Sequence, residues 1–260
     1  MGGYTSRSYF QPNSDEISKA VSLSWLANLD TEKRKQVVAV PDYRFGWENI
    51  LMAPDFIVGE CKQNENNTLF VAFRWGFSIR DMFALKVAGK DEFCKSYGEV
   101  AAKDLQGLFH NEIFQKITCN LPSMGFFQKY KADKIIFSGH GLAGALAHLF
   151  LICYMLKTRE ETKRHVSIAF GSPYFCDNDA KRFCEKTMEL SRRMFTLVNG
   201  ADPVPWLLTG IRMTVPCIPD TEDLLSCLER VNLREMQSRN LSGRPQYGYV
   251  GLYYEGKDLI

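Results

Sequence analysis

The chain has 260 residues, 45% of them hydrophobic, and 32 basic against 30 acidic side chains, a formal net charge of +2. That is apolar material for one sizeable α/β domain, and the near balance of charge, with no basic stripe interleaved with aromatics, excludes a nucleic-acid footprint. Eight cysteines are scattered without a C-x-x-C pair or a Cys/His cluster at zinc spacing, which implies reduced thiols, a cytoplasmic setting, and neither a metal nor another cofactor.

Met1 to Gln11 is polar and lacks the apolar stretch of a secretory signal. Met1-Gly2-Gly3-Tyr4-Thr5-Ser6 fits the pattern M-G-x-x-x-[ST] for myristoylation of Gly2, and one acyl chain gives weak, reversible membrane association. Ser14 is expected to cap a helix running to about Leu29, with Ile17, Val21, Leu23, Trp25 and Leu26 as its apolar positions. Phe56-Ile57-Val58 and Leu69 to Phe73 read as two strands joined by the polar turn Gln63 to Asn67. The glycosylation sequons at Asn66 and Asn240 read as chance matches in a reducing compartment.

Tyr97 to Ile117 follows a helical period, with Val100, Leu105, Leu108, Phe109 and Ile113 three to four apart. A strand at Lys134 to Phe137, an apolar helix from about Ala143 to Lys157 and a strand at Val166 to Phe170 come next. A helix around Asp179 to Leu190 then leads into a strand at Met194 to Val198. Near-continuous apolar strands alternating with helices predict a buried, mostly parallel sheet. The apolar run Gly141 to Leu156 is too short for a bilayer and reads as a core helix. A loop at Pro203 to Pro219, a helix from Thr221 to Gln237 and a strand at Tyr247 to Tyr254 complete the chain. No repeat or linker divides it, so one domain over residues 1–260 is expected, opening with a helical segment and entry strands over 1–55.

The segment from Phe137 to Ala147 has the layout of a nucleophile elbow: strand, glycine-rich turn, apolar helix. In the G-x-S-x-G elbow of α/β-hydrolases a Ser stands at the tip of the turn. Gly141 takes that position here and offers no nucleophile. Gly139-x-Gly141-x-x-Gly144 also spells the G-x-G-x-x-G dinucleotide fingerprint between a strand and a helix. The rival reading lacks the acid at the end of the second strand, which closes Ala169-Phe170-Gly171-Ser172-Pro173, and Glu160 and Glu161 precede that strand.

Four segments carry a family resemblance. Gly139-His140-Gly141-Leu142-Ala143-Gly144-Ala145-Leu146-Ala147 is similar to the nucleophile motif G-H-S-L-G-G-A-L-A of the class 3, fungal-type lipases. Val71-Ala72-Phe73-Arg74 resembles that family's V-A-F-R-G-T, and Phe170-Gly171-Ser172-Pro173 its F-G-S/A-P. Val198-Asn199-Gly200-Ala201-Asp202-Pro203-Val204-Pro205 resembles the segment that carries the triad acid. The resemblance, spread over about 56–206, implies an α/β-hydrolase fold with Asp202 as the remnant triad acid. Leu142 and Trp75 fall at the oxyanion hole, and Gly139, His140 and Gly144 support the elbow.

What the resemblance does not supply is the rest of a triad. Acyl transfer needs an attacking hydroxyl, an imidazole to take its proton, and a carboxylate to orient the imidazole. The family's histidine follows its aspartate, whereas His110, His140, His148 and His165 all precede Asp202. His148 reads as a core histidine, and His110 and His165 as surface residues beside charged neighbours. Trp75 puts an indole where the family has a small residue. Ser138, Ser172 and Cys153 lack a histidine partner as substitute nucleophiles. The expectation is a lipase-like fold without hydrolysis, holding a lipid or acyl ligand or a protein partner. The alternative is an active ester hydrolase using other residues.

Overall fold

The structure is a computed structural model that describes residues 10–44, 46–63, 66–74, 125–172 and 183–198. Six strands form one sheet in sequential order: β1 (Asn49–Met52), β2 (Phe56–Gln63), β3 (Asn66–Phe73), β4 (Lys134–His140), β5 (Val166–Phe170) and β6 (Met194–Leu197). The first three pair antiparallel and the last four parallel, with Phe70 opposite Ile136 and Ser138 opposite Ile168. The expected hairpin is therefore present, as is the expected parallel sheet. The expected elements over Tyr97 to Ile117 and from Pro203 onward lie outside the described residues.

Side-chain alternation along the strands builds two cores. Leu69, Val71, Phe73, Ile135 and Phe137 point to one face, and Phe70, Ala72, Ile136, Val166, Ile168 and Phe170 to the other. Helix α5 (Leu142–Thr158) covers the first face and is buried along its whole circumference from Leu142 to Met155. Its packing is aromatic: Phe73, Phe127, Phe137 and Phe150 meet with ring centroids 5.0–6.2 Å apart. Phe127 comes from the single-turn helix α4 (Gly125–Gln128).

Helix α1 (Ser14–Asn28) covers the second face, followed by α2 (Thr31–Ala39) and the short α3 (Pro41–Arg44). The N-cap of α1 is Asn13 rather than Ser14. The Asn13 side chain accepts from the Glu16 amide at 2.8 Å, and Glu16 Oε2 accepts from the Asn13 amide at 2.9 Å, a reciprocal capping box. The other oxygen of Glu16 pairs with Lys134 Nζ at 2.7 Å, which fastens the start of α1 to the start of β4. Leu23 and Leu26 are buried as expected, but Val21 and Trp25 lie on the outer face, Trp25 being 54% exposed.

Two buried arginines hold loops by their carbonyls. Arg34 of α2 donates to Leu29 at 2.9 Å, Ala53 at 2.8 Å and Ala27 at 2.5 Å. Arg193, just before β6, donates to Met188, Lys163, Glu161 and His165, and its guanidinium lies 4.0 Å from the Phe10 ring centroid. The planar fork of Arg suits such multiple acceptors. Of the helix expected around Asp179 to Leu190, the described part is helical only over 183–186. The chain then turns through Met188 and Glu189, both in left-handed conformation, into a 3-10 turn at Leu190–Arg192.

Candidate functional site

Gly141 joins the carboxyl end of β4 to the first turn of α5. Its φ of 59° and ψ of −127° make a sharp reversal that side-chain-bearing residues rarely adopt. Its amide donates to the Phe170 carbonyl at 2.8 Å, and its carbonyl accepts from the Gly144 amide at 2.9 Å. A Cβ built on Gly141 would meet no atom within 4 Å, so the position where a side chain would stand is open.

The neighbouring glycines have the opposite environment. A Cβ on Gly139 would lie 2.3 Å from the backbone of Ala143, and one on Gly144 2.9 Å from Ala169 Cβ and 3.0 Å from the Gly139 carbonyl. These two glycines let the helix start pack directly onto the ends of β4 and β5. The spacing that spells a dinucleotide fingerprint is thus accounted for by close backbone packing around the turn. Gly171, at φ 57°, donates to the Leu197 carbonyl at 2.8 Å and ties the end of β5 to β6.

His140 is the last residue of β4 and is exposed. Leu142 is the first residue of α5 and is buried. Arg74 follows β3, and its amide donates to the Asp55 carbonyl at 2.8 Å. Trp75 and Asp202, the other expected site residues, lie outside the described residues, as does His110. Gly139, His140, Gly141, Leu142 and Gly144 therefore come together at one turn.

The other side chains weighed for chemistry have other partners. Ser138 accepts a hydrogen bond from the Ser24 hydroxyl at 3.0 Å, both buried between β4 and α1. Ser172 and Cys153 are buried. His148 is a core histidine, as expected: Nδ1 lies 2.7 Å from Ser167 Oγ and Nε2 2.9 Å from Thr196 Oγ1. Burial pushes its pKa down to about 3, so the ring is neutral and both its nitrogens are engaged.

His165 is a correction. It is buried, with 1% of its surface exposed, although Lys163 and Arg164 precede it. Its Nδ1 accepts from the Ile135 amide at 2.9 Å, which leaves the proton on Nε2, and Nε2 donates to Glu160 Oε2 at 2.8 Å. Tyr154 donates to the same Glu160 oxygen at 3.0 Å. Burial lowers the His165 pKa against the raising effect of Glu160. This Tyr–Glu–His cluster lies at the amino end of β4, the opposite end of the sheet from Gly141. Tyr154, Glu160 and His165 lie within twelve residues of one another, but no local sequence signal points to the cluster, because it is fixed on β4 by the Ile135 amide thirty residues away.

Among the described residues no group of His, Cys, Asp and Glu is arranged to hold a metal ion, and no helix is long and apolar enough to cross a membrane.

Comparison with known families matches residues 70–210 to Lipase (class 3). No curated protein sequence matches the chain. Among solved structures, the chain is similar to the Lip2 lipase of Yarrowia lipolytica, at 15% identity and a TM-score of 0.50, over 75% of this chain and 74% of that one. It is similar to lipase II of Rhizopus niveus at 14% identity and a TM-score of 0.51, over 75% and 74% of the two chains. M37 lipase matches at 14% identity and a TM-score of 0.51, over 97% and 85%. At such identities the structural likeness speaks for the fold, and the matched family covers more than half of the chain. The chain belongs to the class 3 lipase family and has the α/β-hydrolase fold.

Proposed function

We propose that this protein is a pseudo-hydrolase, a class 3 lipase-like fold that binds or scaffolds without cleaving esters. One observation carries the reading: the elbow keeps its strained turn and the open position above it, and glycine occupies that position. A non-glycine residue held in such a turn costs on the order of 1–3 kcal/mol, a cost that glycine avoids along with the chemistry. Neither described histidine of the core supplies a general base, since both rings are hydrogen-bonded on both nitrogens. Asp202 is proposed as the remnant acid, and Leu142 and Trp75 as the remnant oxyanion site.

The ligand we favour is a lipid or other acyl compound held without covalent capture, or a protein partner docking on the same fold, in the cytoplasm. Myristoylation of Gly2 adds weak membrane association to this reading. The purified protein should turn over p-nitrophenyl esters no faster than buffer. Organic extraction followed by mass spectrometry should recover a co-purifying acyl lipid. Saturable turnover that survives repurification would establish an active ester hydrolase instead.

A further inference from the structure

The end of the sheet opposite Gly141 carries a cluster of exposed cations on two adjacent loops. Lys129 and Lys131 precede β4; Lys157, Arg159 and Arg164 lie between the last turn of α5 and β5; all five are exposed. The loops are held side by side, with Gln128 Nε2 3.4 Å from Glu160 Oε1 and Lys163 Nζ 3.4 Å from the Ala132 carbonyl. Lys163 is set against Asp133 at 3.8 Å. Over residues 129–133 and 157–165 six cations, Lys163 included, stand against Asp133, Glu160 and Glu161, so these two loops carry a surplus of three positive charges, more than the +2 of the whole chain. Lys157 and Arg159 also complement the carboxyl end of α5, but Lys129, Lys131 and Arg164 lie outside that helix.

The amino-terminal part of the chain arrives at the same face. Phe10 is buried beneath the Arg193 guanidinium, which itself donates to the carbonyls of Glu161 at 2.7 Å and Lys163 at 2.6 Å. Gly2 is eight residues before Phe10, so an acyl group there is tethered within about 28 Å of Phe10. One acyl chain holds a protein to a bilayer only marginally, and stable attachment takes a second signal such as a basic patch.

We infer that the loop face bearing Lys129, Lys131, Lys157, Arg159 and Arg164 docks on an anionic bilayer surface. The elbow then points away from the lipid, since β4 spans roughly 20 Å between this face and Gly141. The inference builds on the membrane association proposed through Gly2, but the basic face is tested without the acyl chain, and its outcome leaves the pseudo-hydrolase reading untouched. Each cation near an anionic surface raises partitioning about five-fold.

The test is co-sedimentation of the full, unacylated chain with phosphatidylcholine vesicles, with and without phosphatidylserine. Binding should require phosphatidylserine and weaken as salt is added. The variant K131E/K157E/R164E should lose at least about ten-fold in partitioning, with its melting temperature confirming the fold. K33E/K35E, on α2, should bind as the parent does. If the triple variant melts early, the neutral variants Lys131→Gln and Lys157→Gln should each weaken binding. The inference is overturned by wild-type protein that ignores phosphatidylserine, that binds both vesicles equally, or that loses nothing on charge reversal.

Discussion

The amide of Gly141 donates to the carbonyl of Phe170 at 2.8 Å, and this bond seats the turn after β4 against the end of β5. Around it the glycines divide by role: Gly139 and Gly144 are packed on their Cα atoms, whereas Gly141 faces open space. Gly139→Ala should therefore cost about 3 kcal/mol, because its Cβ meets helix backbone that cannot rotate away. Gly141→Ala should cost about 1–2 kcal/mol, from the positive φ alone. Urea unfolding of the two variants checks the order, and equal or inverted losses would count against this division.

Acid should destabilise the fold through its buried histidines. The unfolded chain takes up a proton on each near pH 6.5, whereas folded His148 does so only at about pH 3 and burial also depresses His165. The unfolded state thus binds more protons below pH 6.5. Stability is full above that value and falls as pH falls, by up to about 1.4 kcal/mol per pH unit for His148. His148→Gln should flatten the slope measured by urea titration between neutral pH and about pH 5. An unchanged slope would mean that His148 is protonated in the fold.

Arg193 should be irreplaceable by lysine. It serves carbonyls of Met188, Lys163, Glu161 and His165 from one planar group, and an ammonium cannot reach all of them. Leaving buried carbonyls unpaired costs about 1–3 kcal/mol each, so Arg193→Lys should lose about 2–4 kcal/mol in denaturant unfolding. A loss within about 0.5 kcal/mol, the range of a surface substitution, would show that the carbonyls find other donors.

Converting the elbow back should not restore catalysis. Gly141→Ser places a hydroxyl in open space, but the core histidines His148 and His165, engaged on both ring nitrogens, offer it no base. Esterase assays of this variant should match the parent. Robust turnover would reveal an imidazole that serves this position.

Much of the fold could be read from apolar runs. Val166–Phe170 matches its expected span because five buried residues lie between polar loops, and α5 begins where Gly141 breaks the strand. Helix α2 was not legible: of Thr31–Ala39 it buries Val38 and, against its charge, Arg34. Strand β1 was too short to signal itself, and its neighbourhood depends on Trp47, whose ring lies 2.5 Å from where a Cβ on Gly59 would stand. The burial of His165 depends on the Ile135 amide, thirty residues away, which no local pattern reveals. At the site, the turn and its glycines were legible from spacing alone. The open position above Gly141 was not, because it depends on what surrounds the turn.

The most direct test of the central claim is intact-mass analysis of the purified protein after exposure to a fluorophosphonate. The account predicts an unchanged mass, since the tip of the elbow carries no atom that can be phosphonylated. A stoichiometric adduct mapped to a single side chain at this end of the sheet would contradict it.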